Sequence, residues 1–214
     1  MLRIVSFTFN PFQENTYLIV NSRKECWIVD PGMYDEHEQR TFLEYIRQQR
    51  LTPKMIINTH AHIDHIFSVQ DLKKKFRIPF GIHASDLPVL QGAAASASLF
   101  GFSFKDTPDV DFFIAENKPL QLGTDVLEVR LTPGHSPGSI SFYSPENKFV
   151  LSGDVLFYCG IGRSDLPGGD AHTLLDSIRT ELYTLPENTV VYPGHGPVTQ
   201  VGYEKRSNPF VRGR

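Results

Sequence analysis

Residues 59–65 read Thr59-His60-Ala61-His62-Ile63-Asp64-His65, directly after the apolar run Met55-Ile56-Ile57. Four metal-capable side chains at the end of a strand-like run constrain the fold more than any other feature of the chain. The loop must lie where these donors converge, and the rest of the chain must supply their partners. In extended backbone, residues i and i+2 point the same way, so His60 and His62 can serve one ion. Asp64 and His65 open a helix-like segment that runs to about Phe76; they face a different direction and suit a second ion. Two metals about 3.5–4 Å apart form the clamp of many hydrolytic sites. Packing alone does not account for the stretch, because each buried polar group would need its own partner.

A dinuclear site wants more ligands than this stretch holds, and three later places offer them. The alternating run 126–132 leads into Pro133-Gly134-His135-Ser136, residues 149–151 lead into Ser152-Gly153-Asp154, and residues 190–192 lead into Pro193-Gly194-His195-Gly196. Loops that follow strands of a rigid sheet are the usual place for a site. The neighbouring glycines permit tight turns close to an ion.

With these residues in view, the chain resembles the metallo-β-lactamase superfamily, and within it the short, single-domain glyoxalase II-like hydrolases. The resemblance runs over nearly the whole length. It is carried by Asp30-Pro31-Gly32, the His60–His65 motif, Thr132-Pro133-Gly134-His135, Ser152-Gly153-Asp154, Gly162-Arg163-Ser164-Asp165 and Pro193-Gly194-His195-Gly196-Pro197, with Asn208-Pro209-Phe210 near the end. The stretch 162–165 narrows it to the glyoxalase II and persulfide dioxygenase branch. The resemblance implies an α/β (α+β) fold, the four-layer αβ/βα metallo-β-lactamase sandwich, built as one domain over residues 1–214. It also implies that His60, His62 and His135 hold a first divalent ion, that Asp64, His65 and His195 hold a second, and that Asp154 bridges them. Asp64 would also orient the attacking hydroxide. Zinc is the expected metal, with iron or manganese as alternatives. Asp30 resembles a residue that orients the cluster from behind, though it also suits a plain turn before Pro31-Gly32.

Arg163 stands at the position of a basic residue that contacts a glutathione carboxylate in glyoxalase II. A planar guanidinium suits that role, and a salt bridge with Asp165 or Asp170 is the other use for it. Two departures from glyoxalase II stand out. Asp165 replaces an aromatic residue, and the C-terminal helical domain that supplies further glutathione contacts has no counterpart after Asn208-Pro209. The implied reaction is hydrolysis of a small thioester of the S-lactoylglutathione type. A thiolate leaves readily, so no serine or cysteine nucleophile is needed, and no Gly-x-Ser-x-Gly elbow is present.

Rival readings use the same residues. A persulfide dioxygenase would use one iron and oxygen, and another small ester could be the substrate. A β-lactamase lacks the bridging aspartate, a flavodiiron reductase has an acid where His62 stands, and a nuclease would want basic surface. A non-catalytic metal-binding module would have no need of all seven ligands.

Composition agrees with an ordinary globular enzyme. The chain has 214 residues, 40% hydrophobic and 21% charged, with net charge −3, so no nucleic-acid footprint is expected. No apolar run is long enough to span a membrane, and the N-terminus is too polar for a signal peptide, which points to a cytoplasmic protein. Oligomeric state stays open. Two cysteines make no disulfide framework: Cys26 is expected in the core, and Cys159 is expected as a small packed residue near the site.

Strands are expected over residues 2–9, 16–20, 26–30, 54–58, 79–83, 120–122, 126–132, 139–143, 148–152 and 189–192. Helices are expected over 36–50, 64–76 and 171–182. His37 and His172 should be exposed, and His83 structural. The segment 91–113 breaks the pattern, with small residues followed by Phe100, Phe102 and Phe104. It reads as a helical insertion packed on the core or as a hydrophobic lid. The lid reading predicts that Phe102→Ala raises KM with little loss of metal.

Overall fold

The computed structural model describes residues 1–104 and 106–212. The first half forms one six-stranded sheet in the order β1-β2-β3-β4-β5-β6. Its strands are β1 (Arg3–Phe9), β2 (Glu14–Val20), β3 (Glu25–Val29), β4 (Thr52–Ile57), β5 (Phe80–His83) and β6 (Phe112–Ile114). Strands β1 to β3 are antiparallel, and β3 to β6 run parallel. The second half forms another six-stranded sheet, ordered β14-β13-β10-β9-β8-β7. It is built from β7 (Leu120–Leu122), β8 (Asp125–Leu131), β9 (Ile140–Ser144), β10 (Phe149–Gly153), β13 (Val190–Pro193) and β14 (Thr199–Gln200). The hairpin β11 (Leu156–Phe157) and β12 (Gly160–Ile161) stands apart from both sheets.

Strand alternation sorts the side chains into layers. On β2, Tyr17 and Ile19 face the second sheet, while Leu18 and Val20 face helices; on β3, Trp27 and Val29 face inward against Cys26 and Ile28. The central layer meets Leu127, Val129, Phe142, Phe149 and Leu151 from the other sheet. Helices α1 (Glu36–Gln49) and α2 (Val69–Phe76) cover the outer face of the first sheet through Phe42, Ile46, Val69 and Leu72. Helix α5 (Ala171–Ser177), continued by a wider π turn over Ile178–Leu182, and α6 (Val201–Ser207) cover the second through Leu174, Ile178, Leu182 and Val201. The expected four-layer αβ/βα sandwich is therefore the observed one. No helix among the described residues is long and apolar enough to cross a membrane.

Three element expectations need correction. The single helix expected over 64–76 is broken: a short 3-10 turn covers Ile63–His65, and α2 starts only at Val69. The carbonyls that a continuous helix would use are taken by side chains, His65 O by Asn58 Nδ2 at 2.7 Å and Asp64 O by Asn10 Nδ2 at 3.0 Å. Strand β2 begins two residues early, at Glu14, because its polar start finds partners inside the protein rather than in solvent. The segment 91–113 carries α4 (Ala93–Leu99) and then reaches strand β6. Helix α3 (Leu87–Gln91) precedes it.

His37 and His172 are exposed as expected, and His83 is buried against Glu116 with its Nε2 3.1 Å from the carboxylate. Cys26 is fully buried and Cys159 half-buried, both free. Cys159 sits in the turn of the β11–β12 hairpin with its Sγ 3.5 Å from the Tyr203 hydroxyl.

Candidate metal centre

All seven predicted ligands converge at one edge of the seam between the sheets. The loop after β4 brings His60, His62, Asp64 and His65 from the first sheet. The ends of β8, β10 and β13 bring His135, Asp154 and His195 from the second. His60 Nε2 lies 3.2 Å and His62 Nδ1 2.8 Å from His135 Nε2. A second group gathers around His195 Nε2, which is 3.2 Å from Asp64 Oδ2, while His65 Nε2 is 3.7 Å from the same oxygen. The donor atoms of each triad lie within 4.8 Å of one another.

Asp154 reaches both groups. Its Oδ2 is 3.6 Å from His135 Nε2 and 3.4 Å from His195 Nε2, and its Oδ1 is 3.5 Å from His65 Nε2. Asp154 Oδ1 and His65 Nε2 are buried and have no hydrogen-bond partner. Two facing donors left unsatisfied in a buried place carry a large desolvation cost unless something between them is bound. The residues thus fit a pair of divalent ions.

The far ring nitrogens are tied down, which fixes the imidazoles. His135 Nδ1 meets Arg163 O at 2.7 Å, His195 Nδ1 meets Phe12 O at 3.0 Å, and His60 Nδ1 meets Thr59 Oγ1 at 3.0 Å. His65 Nδ1 meets Asp30 Oδ2 at 3.1 Å. Asp30 also accepts from Thr59 N and Oγ1 at 2.7 and 2.6 Å. Asp30, His60 and His65 themselves lie close enough to form a third donor group. Asp30 is spent behind the rings, however, bonded to a far nitrogen and to Thr59. Its backbone is left-handed at φ 50, a conformation an aspartate tolerates better than most residues. Gly194 is needed for closeness: a side chain there would run into the Asp154 carboxylate.

Charge divides the site. Burial, helped by His65 and His135, pushes the His60 imidazole well below its usual range. Burial and His135 lower His62 to about 4. Burial lowers the second group's imidazoles too but is outweighed: the Asp64 and Asp154 carboxylates hold His65 well above its usual range and raise His195 to about 10. Asp154 is in turn held well below the carboxylate range by His65 and His195, despite its burial. Among the side chains alone, His60 and His62 are pushed toward the neutral imidazole, whereas His65 and His195 pair with the carboxylates of Asp64 and Asp154.

Residues not foreseen from the sequence brace these loops. Asp86 accepts from Ala61 N at 2.6 Å, Ser136 Oγ at 2.7 Å and Gly138 N at 2.7 Å, joining the His60–His62 loop to the His135 loop. Glu14 is fully buried behind His65, with one oxygen 4.0 Å from His65 Nδ1. Burial drives its carboxyl well above the usual range. The signal for Glu14 was a polar Glu-Asn-Thr triplet opening an apolar strand; a lone aspartate after β5 gave none for Asp86.

A cavity of about 380 Å³ opens onto the ligands. Its apolar wall includes Phe12, Phe100, Phe157, Ile161 and Leu166, and Arg163 stands at its rim, more than half exposed. Arg163 does not point a free fork into it. Its Nε and Nη2 each meet an Asp165 oxygen at 2.7 Å, so the salt bridge foreseen as the alternative for Arg163 is the observed one. Asp170 instead caps α5, accepting from Thr173 N at 2.7 Å. In the 91–113 segment both readings are partly met. Ala93 and Ala97 pack into the core, while Ser96 and Phe100 line the cavity. Phe102 is turned away, against Phe12, Tyr34 and Phe67, so Phe100 and not Phe102 is the aromatic ring facing a ligand.

The metallo-beta-lactamase superfamily model matches residues 9–195, which holds every candidate ligand described above. The chain belongs to that superfamily. Over 95% of its length it is 43% identical to the "Probable metallo-hydrolase YqgX" of Bacillus subtilis, covering 94% of that protein. It is 36% identical to "Hydroxyacylglutathione hydrolase GloC" of Haemophilus influenzae, over 95% of each chain. Two solved structures superpose closely. One is of "BLEG-1 B3 metallo-beta-lactamase", at TM-score 0.91 and 38% identity over 99% of this chain and 100% of the other. The other is of "TTHA1623 in a di-iron-bound form", at TM-score 0.87 and 39% identity over 97% and 100%. The metallo-beta-lactamase fold and a metallo-hydrolase ancestry are thereby fixed for this chain.

Proposed function

We propose that this chain is a dinuclear metal-dependent hydrolase that cleaves small thioesters. The observation that carries the dinuclear reading is Asp154, whose carboxylate faces the ligand-side Nε2 atoms of His135 in the first triad and of His65 and His195 in the second. His60, His62 and His135 would hold one ion, and Asp64, His65 and His195 the other. Bound there, two divalent ions lower the pKa of a water toward about 7 and polarise a carbonyl. Zinc is the simplest choice for this imidazole-rich set; the di-iron form of TTHA1623 makes iron the main alternative.

The protein's own share is orientation and exclusion of bulk water. Asp64 lines the cavity beside His195, and in this reading it would hold the proton of the attacking water and orient its lone pair. Phe12, Phe100 and Phe157 press the acyl group against the ligands and keep bulk water out. In the reaction a carbon–oxygen bond forms, the carbon–sulfur bond breaks, and the thiolate leaves with the water's second proton available to it. No side-chain nucleophile takes part.

The finer assignment, thioesters of the S-lactoylglutathione kind, is supported by the likeness to GloC. Persulfide oxidation at a single iron is the alternative, and it would leave one triad idle. We further read the chain as one catalytic domain acting on small molecules, without nucleic acid or membrane, in the cytoplasm. The test is hydrolysis of S-lactoylglutathione by the metal-replete protein, with and without chelator. Chelator-sensitive turnover is expected, and His135→Ala should remove most of it. Absence of turnover at full metal occupancy would rule out the glutathione thioester.

A further inference from the structure

Arg163 is the one guanidinium at the rim of the cavity among its described lining residues, and its recognition edge is filled from within the chain. Both oxygens of Asp165 meet Nε and Nη2 at 2.7 Å, a bidentate pair closed across a single intervening residue. Such a fork is the geometry by which arginine binds a carboxylate of a ligand. Here the position is held by a carboxylate that is always present. The Arg163 side chain keeps Asp165 down to about 2, so the acid stays ionised throughout the neutral range. A substrate carboxylate approaching the other edge of the guanidinium would meet the negative charge of Asp165 beside it. The rest of that side of the cavity is apolar, made by Phe157, Ile161 and Leu166.

We infer that Asp165 is a specificity-determining residue: by occupying Arg163 it selects substrates whose leaving thiol carries no carboxylate at this rim and presents a neutral or apolar group instead. The inference rests on the thioester reading above. It makes a glutathione-type thiol a tolerated substrate, gripped without its carboxylate.

The test compares two S-lactoyl thioesters that differ only in the thiol, 3-mercaptopropionate and 2-mercaptoethanol. The quantity read is the ratio of kcat/KM for the anionic ester over the neutral one, at equal metal content. In the native protein the ratio is expected at or below about one. In Asp165→Asn it should rise on the order of tenfold, as a freed guanidinium gains a carboxylate partner. In the double variant Arg163→Gln with Asp165→Asn that gain should vanish, which separates charge recognition from a general disturbance of the loop. An unchanged ratio in Asp165→Asn, or a gain that survives loss of Arg163, overturns the inference. If the native protein cleaves neither these esters nor S-lactoylglutathione, the thioester reading fails on its own. The inference is then decided by calorimetric titration with the two free thiols. Asp165→Asn must tighten 3-mercaptopropionate relative to 2-mercaptoethanol, and equal tightening or none overturns it.

Discussion

Asp30 shows how much of the site lies behind the ligands. It spends a left-handed backbone conformation and both carboxylate oxygens on fixing His65 and Thr59. Asp30→Asn should therefore weaken metal affinity by about 10–100-fold, the usual effect of removing a partner of a metal-bound imidazole. Metal content after dialysis against graded chelator measures this, and unchanged retention would reduce Asp30 to a turn residue. The candidate ligands were legible only as a set: three histidines and an aspartate within residues 60–65 are hard to explain as packing, whereas Pro-Gly-His and Gly-Asp read singly as ordinary turns. Glu14 and Asp86 were not, because a lone acid becomes informative only when the backbone it serves is known. Arg163 was legible as a residue of two possible uses, and only the 2.7 Å contacts with Asp165 decide between them.

At the scale of elements, the amphipathic helix over residues 36–50 was readable because Phe42 and Ile46 recur on one face, and both are buried against the first sheet. Phe42 packs edge-on against Phe7 and Phe9 of β1, with ring centroids 5.3 and 6.3 Å away. Phe42→Ala should cost about 3–5 kcal/mol, read as a fall in the urea midpoint with an unchanged slope. The break between Ile63–His65 and α2 was not readable, since it depends on Asn10, just past β1, and Asn58, at the start of the ligand loop, reaching carbonyls there. Helix α4 was only half readable: its alanines announced packing, but which phenylalanine faces the cavity depends on the turn at Leu99–Gly101. Phe100→Ala should raise KM several-fold for apolar acyl substrates while kcat and metal content hold. Phe102→Ala should act mainly on stability. Thermal melting and steady-state kinetics on the pair would expose an error in that division.

At the scale of the molecule, short apolar runs bounded by turn residues made most strands readable and the resemblance implied the sandwich, whereas short edge strands such as β6 and β14 left no pattern to find. The charge division of the site also acts globally. His65 and His195 are held above their usual values in the folded protein by Asp64 and Asp154. A histidine raised on folding contributes stability that is complete below its unfolded value, near 6.5, and is lost as pH rises through the folded one, about 10 for His195. Metal-stripped protein should thus lose stability from neutral pH toward pH 10. Metal binding must displace those protons, so metal affinity should rise over the same interval. Urea melts of stripped protein across pH 6.5–10, with calorimetry in buffers of different ionisation enthalpy, check both signs.

The ligand loops also divide along the chain. Every residue of the first sheet precedes every residue of the second, and the crossing lies between Ile114 of β6 and Leu120 of β7. Four donors belong to the first half and three to the second, so the ions would stitch two contiguous pieces of polypeptide. A chain severed at the turn around Glu116-Asn117 would then become a two-part system whose reassembly depends in part on divalent metal. Divalent metal would tighten the association of the two fragments beyond what the apolar seam between the sheets supplies, and chelation would remove that increment.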